Sequence, residues 1–554
     1  MKFRYFIILF VLFFSSSTIL HSQIEPNLYH EADKERMNHW VDSVFSTMTL
    51  DQKIGQLFMI VVNPEPREIT VSIISRHIRE YYVGGILFAR GKPEDQAFST
   101  NKYQEVSNIP LMIALDGEWG LSMRLTNTVP FPKTMTMGAI TDESLLELYG
   151  KEVGRQCKEM GIHVNFAPAL DLSSNIKNQA IGVRAFGDNP ERVSKLANAY
   201  ARGLEGEKII STGKHFPGHG YTDEDSHKKA SLISLTRKEM EEKNLFPFRS
   251  FIKEGFSGIM TGHFSIPSLD SKTGLPSSLS PIIVTDLLKE EMSFSGLVFT
   301  DALVMSGANT KGSVCVKALL AGSDVLVSPS GIKEEFENVK KAVEERDIPI
   351  YIIENACKKV LSYKYIVGLN NYKPIETEGL LERLNTDHAY SLLECLSEES
   401  ITLLKNEEDI IPLKNSDALR VASLAIGSRN VSDFQELLNP YLKGVNHNSF
   451  SISENATKAK INSLAKQLED YDLIILSIHT SYITEYILWT EILKNKKTVL
   501  CFFIPAEQLS AFKSLINGSN TTIAAHENTK AAKEALLKVL FGEIPAKGKL
   551  PVTF

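Results

Sequence analysis

Short apolar runs, each followed by an amphipathic stretch, recur eight times between residues 50 and 330 of this 554-residue chain. The runs are apolar on both faces, which is typical of parallel strands that helices cover on each side. Eight strand-then-helix units predict an α/β fold, a (β/α)8 TIM-like barrel. The predicted strands are 53–62, 83–90, 110–118, 163–172, 211–218, 258–266, 296–303 and 324–329, and the predicted helices include 144–160, 190–206, 235–253 and 332–345.

A smaller αβ region follows the barrel. Residues 23–370 are predicted to form the barrel domain, 371–390 a polar, proline-bearing linker, and 391–554 an αβα sandwich with a mostly parallel sheet. No glycine-rich phosphate loop opens its helices, so no nucleotide cofactor is expected. Its predicted strands are 400–404, 420–425, 472–477, 498–504 and 521–525, and its predicted helices include 432–441, 456–468 and 530–541.

The first 22 residues are typical of a secretory signal peptide. A basic start at residues 1–4 precedes an apolar run at 5–14 and a polar, small-residue stretch, with cleavage predicted before Gln23. An uncleaved membrane anchor is the alternative, and it is disfavoured because the run is shorter than the ~20 residues a span requires. We therefore expect an exported protein, periplasmic or secreted, with no stable membrane insertion after cleavage.

Charge and cysteine usage narrow the possible partners. The net charge of −7 is spread along the chain, whereas nucleic-acid binding calls for a concentrated basic face. The five cysteines lie far apart and form neither a disulfide framework nor a zinc spacing. We expect no nucleic-acid partner, no metal and no cofactor, and a monomer, although the sequence leaves the oligomeric state open.

Polar residues collect at the carboxyl ends of the predicted barrel strands, where barrel enzymes place their chemistry. Asp116 and Glu118 follow the third strand, and Asp301 follows the seventh. His215 and His219 follow the fifth strand, and His263 follows the sixth.

The densest stretch is Lys214-His215-Phe216-Pro217-Gly218-His219-Gly220, which continues to Asp225-Ser226-His227. Its glycines and proline predict a loop rather than a helix. Asp225 and His227 are two residues apart, so the carboxylate can accept a hydrogen bond from one ring nitrogen and raise the basicity of the other. Such a pair makes a general acid/base suited to neutral pH. A solvated surface loop is the alternative.

Further groups suit the binding of a polyhydroxylated ring. Asp116, Arg124 and Arg184 can hydrogen-bond to hydroxyl groups, and the Trp119 ring can stack on the sugar. The alternative is that these residues form a salt-bridge cluster on the surface. Asp301, at the end of an apolar strand, is a helix N-cap, a nucleophile or a carboxylate that stabilises a cation.

The motif from Lys214 to His227 resembles the signature of family 3 glycoside hydrolases, in the β-N-acetylhexosaminidase (NagZ-like) branch. Asn165-Phe166-Ala167-Pro168, Asp171 and the run 184–187 resemble the family's fourth-strand region. The run 400–406 resembles the opening of its second domain. Trp119 departs from the family pattern, since many relatives carry Gly there.

The resemblance implies a role for each matching residue. Asp301 matches the nucleophile, His227 the general acid/base and Asp225 its orienting partner. The residues implied to bind the sugar in the −1 subsite are Asp116, Arg124, Arg184, Lys214 and His215. Related β-glucosidases lack the Asp-x-His loop, so the resemblance implies a retaining, exo-acting β-N-acetylglucosaminidase, expected to act on peptidoglycan fragments.

Four alternatives stay open. Two alternatives belong to the same family: a β-glucosidase, and a phosphorylase that uses phosphate in place of water. A histidine acid/base repels the phosphate anion less than a second carboxylate would, so phosphate can serve as the acceptor. A metal-dependent barrel hydrolase would use the histidines that cluster with Asp301, namely His215, His219, His227 and His263. A non-catalytic carbohydrate-binding protein would need no nucleophile.

Overall fold

The computed structural model describes residues 23–178, 180–222, 231–272, 274–413, 419–494 and 496–553. The first sheet of this described chain has eight parallel strands, and a short parallel pair, β6 with β8, lies beside it. The first ten strands are β1 (Phe58–Val62), β2 (Gly85–Phe88), β3 (Met112–Leu115), β4 (Val164–Asn165), β5 (Ile210–Phe216), β6 (Ser231–Leu232), β7 (Gly258–Thr261), β8 (Phe264–Ser265), β9 (Leu297–Thr300) and β10 (Leu326–Val327).

The large sheet closes on itself as a barrel. Its strand order is β10-β1-β2-β3-β4-β5-β7-β9, so consecutive barrel strands are neighbours. Phe299 at one edge bridges Val325, next to β10 at the other edge, and the Thr300 N–H donates to the Val325 carbonyl at 3.1 Å. The strands β2, β3, β7 and β9 are buried along their whole length, which explains their continuous apolar runs. The predicted barrel is confirmed.

Helices surround the barrel, and many begin at a side-chain cap. Asp142 and Asn189 each accept a backbone N–H of the first turn that follows them. The helices are Asn27–His30, Lys34–Ser46, Leu50–Gly55, Glu68–Tyr81, Pro93–Glu105, Thr134–Met137, Glu143–Glu159, Pro190–Gly206, Arg237–Glu242, Leu245–Lys253, Val314–Ala321, Ile332–Glu344 and Ile350–Ile366, with a π-helical stretch at Ile282–Glu291. Short 3-10 turns lie at Leu121–Met123, Gly182–Arg184, Ser277–Leu279, Ser306–Ala308 and Leu369–Asn371.

Some predicted barrel elements are wrong in part. Residues 53–55 of the predicted strand 53–62 belong to the helix Leu50–Gly55, which Thr49 and Gln52 start with a reciprocal capping box, and the strand begins at Phe58. The predicted strand 163–172 is reduced to Val164–Asn165. The predicted helix 235–253 is two helices, and Lys243 between them has a non-helical backbone.

The second sheet has six strands in the described chain: β11 (Thr402–Asn406), β12 (Arg420–Ile426), β13 (Asn446–Ile452), β14 (Leu473–Ile478), β15 (Thr498–Phe502) and β16 (Thr521–Ala524). Their order is β11-β16-β15-β14-β12-β13. The edge strand β11 pairs antiparallel with β16, and the other described pairs are parallel. Apolar clusters cover both faces of this sheet. Leu424 and Val421 lie three residues apart in β12 and so point to opposite faces; Leu424 belongs to one cluster and Val421 to the other. The helices are Asp433–Leu438, Lys458–Gln467, Tyr486–Leu493, Lys513–Gly518 and Lys530–Leu540, with 3-10 turns at Glu407–Asp409, Asn439–Leu442 and Ala506–Phe512.

The segment between the two sheets is partly helical. The helices Leu380–Leu384 and Asp387–Ser400 lie in and after the predicted linker, and Leu396 still belongs to the barrel's apolar cluster. Ser400, predicted to open a strand, instead ends a helix. The domain boundary at 371–390 stays a prediction. Among the described helices, none combines the length and the hydropathy that crossing a bilayer requires.

Candidate active site

The carboxyl ends of β3 and β5 bring the first site residues together. Lys214 lies within β5, and its ammonium donates to Asp116 Oδ1 at 2.8 Å. Arg124, after the 3-10 turn that follows β3, donates to Asp116 Oδ2 at 2.6 Å. Burial alone would raise the pKa of the Asp116 carboxyl, but the two cations outweigh burial and hold that pKa well below its usual range. Three of the predicted sugar-binding residues therefore form one ionised cluster.

Glu118 joins this cluster to Arg184. The Arg184 guanidinium donates to both oxygens of the Glu118 carboxylate, at 2.7 and 2.9 Å, in a two-pronged pair. Lys214 also lies 2.8 Å from Glu118 Oε1. Burial raises the pKa of Glu118, yet the two cations bring it down to about 2. Glu118 thus holds Arg184 and Lys214, two cations predicted to bind the sugar, in place, a role that the sequence did not assign to it.

His215 is oriented by a buried carboxylate. Its Nδ1 lies 2.7 Å from Asp171 Oδ2, and since a carboxylate accepts, Nδ1 carries the proton. Its Nε2 lies 3.3 Å from Arg184 Nη2 and accepts from it in the neutral ring. Asp171 Oδ1 accepts the His219 backbone N–H at 2.7 Å. Burial raises the pKa of Asp171, but contact with His215 and His219 lowers it overall.

Asp301 lies directly after β9. Its backbone N–H donates to the Thr261 carbonyl, which places it at the barrel's carboxyl end. Its Oδ1 accepts the Ala302 N–H at 2.7 Å. The next helical turn of the described chain is Ser306–Ala308, so the N-cap alternative for Asp301 is wrong.

The surroundings of Asp301 favour a carboxylate anion. Burial raises the pKa of Asp301, but His215, His263, the Ala302 N–H and, least, Lys214 together bring it below the ordinary value of 3.8. Asp301 is therefore ionised at neutral pH, as a nucleophile must be.

His263 supports the backbone beside Asp301. Its Nε2 lies 3.2 Å from the Ala302 carbonyl, which can only accept, so Nε2 carries the proton. Its Nδ1 lies 2.7 Å from the Ser278 hydroxyl, which can accept or donate in this contact. His263 thus orients the backbone of Ala302, the residue that follows Asp301.

His219 is also held by hydrogen bonds. The Asn178 amide lies 3.0 Å from His219 Nδ1, and burial lowers the pKa of His219 to about 4. Within the described residues, no group of three or more His, Cys, Asp or Glu side chains is arranged to hold a metal ion.

Two predicted catalytic residues, Asp225 and His227, lie outside the described residues, and their roles stay predictions. The segment begins after Thr222, whose carbonyl accepts from the Asn175 amide at 3.2 Å. Trp119 is partly buried against the barrel core, and its proposed stacking on a sugar is likewise untested.

Residues 49–363 match the glycosyl hydrolase family 3 N-terminal domain. The chain belongs to glycoside hydrolase family 3. A structure of a family 3 β-N-acetylglucosaminidase from Paenibacillus sp. is 28% identical, with a TM-score of 0.77 over 92% of this chain and 99% of that one.

Sequence relatives agree with this family. The β-N-acetylglucosaminidase/β-glucosidase of Cellulomonas fimi is 24% identical over 394 residues, covering 69% of each chain. The β-hexosaminidase of Nitrosomonas eutropha is 34% identical over 258 residues, which cover 44% of this chain and 73% of that protein. The resemblance inferred from the motif is thereby confirmed: the protein is a glycoside hydrolase, and its substrate is a carbohydrate.

Proposed function

We propose that this enzyme is a retaining, exo-acting β-N-acetylglucosaminidase that removes terminal β-linked GlcNAc. The observation that carries the proposal is the ionised Asp301 at the barrel mouth, close enough for His215 to lower its pKa. His215 in turn touches Arg184 of the charged cluster. An ionised carboxylate thus lies beside a set of groups that can hydrogen-bond to a sugar ring, which supports Asp301 as the nucleophile. The names of the relatives from Paenibacillus and Cellulomonas support GlcNAc as the sugar.

The cluster suits a neutral polyhydroxylated ring. Asp116 can accept hydrogen bonds from hydroxyl groups, while Arg124, Arg184 and Lys214 can donate to their oxygens. Because each of these charges already contacts an opposite charge, the site can bind an uncharged sugar without leaving an isolated buried charge.

The proposed reaction has two displacements. Asp301 attacks the anomeric carbon while protonated His227 donates its proton to the leaving oxygen, which gives a glycosyl–enzyme ester and a free alcohol. His227, now neutral, removes a proton from water as that water attacks the same carbon. The ester bond breaks, Asp301 returns as a carboxylate, and the sugar leaves with its β configuration.

We further propose that the enzyme acts outside the cytoplasm, periplasmic or secreted, on peptidoglycan fragments. The signal-peptide pattern of residues 1–22 supports this location. Purified muropeptides that carry terminal GlcNAc should release GlcNAc in the presence of the enzyme. Hydrolysis of chitobiose with no release from muropeptides would contradict the peptidoglycan role.

The decisive experiment compares aryl β-glycosides of GlcNAc, GalNAc and glucose, with the product anomer read by NMR. We expect the highest kcat/KM for the GlcNAc glycoside and initial release of the β anomer. Asp301→Ala and His227→Ala should lose most turnover, whereas His388→Ala, an exposed histidine on a barrel-side helix, should not. Preference for the glucoside would favour a β-glucosidase, and GlcNAc 1-phosphate formed in phosphate buffer would favour a phosphorylase.

A further inference from the structure

Residues 549–553 connect the second domain to the barrel surface; we call this segment the strap. The Lys549 N–H donates to the Ala139 carbonyl at 2.9 Å. The Asp188 N–H donates to the Pro551 carbonyl at 3.2 Å, and the Thr553 N–H donates to Asp188 Oδ2 at 2.7 Å. The strap therefore makes backbone hydrogen bonds to the barrel along its length.

Arg192 fastens the strap from the barrel side. It lies in the first turn of the helix Pro190–Gly206, and its guanidinium donates to the Leu550 carbonyl at 3.0 Å and the Lys549 carbonyl at 3.2 Å. Gly187 packs so closely that a Cβ there would collide with the Pro551 carbonyl oxygen. The close approach requires glycine at this position.

Apolar side chains reinforce the same contact. Ile181 and Ala185, on either side of the 3-10 turn Gly182–Arg184, are almost completely buried. They belong to a small apolar cluster that joins the barrel, the second domain and the strap. Its other members are Met135 and Val183 of the barrel, Ala506 of the second domain, and Leu550 and Val552 of the strap. This cluster shares Leu550 with one apolar cluster of the second sheet and shares no residue with the main barrel core.

Arg184 lies between the strap and the sugar-binding cluster. Its side chain reaches inward to Glu118, and its own backbone belongs to the 3-10 turn that the apolar cluster covers. The Ser173 N–H donates to the Gly187 carbonyl at 2.8 Å, so the two ends of this loop are tied together. Ser173 also lies 3.4 Å from Glu507 of the second domain.

We propose that the second domain, through the strap and Arg192, sets the position of Arg184 and so tunes the affinity of the barrel for the sugar. Arg192 is a positioning residue, because it acts on the sugar only through Arg184. The proposal rests on the proposed function only in that the Arg184 cluster binds the sugar. It gives the second domain a part in substrate binding without supplying a catalytic group.

Arg192→Ala tests this, with Arg202→Ala as a matched control on the same helix. Arg202 is half exposed and pairs with Glu147 in one neighbouring helix and with Glu254 at the end of another. For Arg192→Ala we expect KM to rise about tenfold with kcat changed less than twofold, since small misplacements of binding groups are costly. Arg192→Lys, which keeps the charge but not the two-pronged contact, should fall between wild type and Arg192→Ala.

A double-mutant cycle separates positioning from general destabilisation. In an Arg184→Ala background, Arg192→Ala should raise KM no further, because its effect passes through Arg184. Additive effects on KM, or a KM for Arg192→Ala equal to that of Arg202→Ala, would overturn the proposal. If Arg192→Ala does not fold, the same cycle is run with Arg192→Lys.

Kinetics are measured on whichever aryl glycoside the wild type cleaves best, so a wrong sugar assignment leaves this test intact. Failure of the GlcNAc assignment would show in the wild-type substrate panel, whereas failure of the present inference would show only in the variants.

Discussion

Glu118→Gln removes the carboxylate that holds both Arg184 and Lys214. Glutamine keeps the size and one acceptor oxygen, but it is neutral and its amide N–H would face a cation. In the cluster of Asp116, Glu118, Arg124, Arg184 and Lys214, two anions face three cations, a net charge of +1. The substitution raises this to +2 in a buried site.

The size of the effect follows from the pKa of Glu118. A shift from 4.5 to about 2 corresponds to about 3 kcal/mol in favour of the ionised, folded form. Breaking a buried ion pair costs about 3–5 kcal/mol by an independent measure. Because the folded pKa lies below the unfolded one, this stabilisation is fully present above pH 4.5 and is lost as the pH falls through 2. At pH 7 the whole effect should be measured.

Urea unfolding and steady-state kinetics at pH 7 give the two readouts. Glu118→Gln should lower the free energy of unfolding by about 3 kcal/mol and kcat/KM about 100-fold, because two binding groups lose their position. The control is Glu152→Gln, a buried carboxylate paired with Arg155 on one barrel helix. It should lower stability while leaving KM unchanged. Wild-type kcat/KM in Glu118→Gln would refute the role given to this carboxylate.

Three further predictions concern pH and metal. Lys364 is fully buried, donates to Gln56, and has a pKa lowered to about 7 by burial. The buried ammonium destabilises the folded state fully below pH 7, and this destabilisation fades as the pH rises to 10.5, where the unfolded chain also loses the proton. Lys364→Met should therefore raise Tm more at pH 7 than at pH 10. Equal increases in Tm at the two pH values would contradict this. The acid limb of kcat/KM should have its midpoint below pH 4, because the pKa of Asp301 lies below 3.8; a midpoint above pH 5 would exclude Asp301 as the group that titrates there. Dialysis against a chelator should leave activity unchanged, and its loss would revive the metal-dependent alternative.

The barrel could be predicted because strands buried on both faces are apolar throughout. Where the first strand was predicted too long, buried apolar residues lie on both sides of the true boundary: Ile54 is buried in a helix and Phe58 is buried in a strand. The pair Thr49 and Gln52, a capping box, was the local signal for that helix. The edge strand β13 was missed because its residues are mostly polar and only partly buried.

The sequence predicted which residues belong to the site, but it did not predict the ion pairs that join them. Asp116, Lys214 and Arg184 come from distant parts of the chain, and only the folded barrel shows that Glu118 joins them. The spacing Asp116-x-Glu118 was the one local hint. The strap left no signal in the sequence, since its hydrogen bonds to the barrel use backbone groups that every residue carries.

Covalent trapping tests the central claim, that Asp301 is the nucleophile, most directly. A 5-fluoro N-acetylglucosaminyl fluoride should form a glycosyl–enzyme that hydrolyses slowly, and mass spectrometry of its digest should place the added mass on the peptide containing Asp301. The adduct should be absent in Asp301→Ala. Added mass on a different carboxylate, or release of the inverted anomer from an aryl substrate without any adduct, would contradict the account.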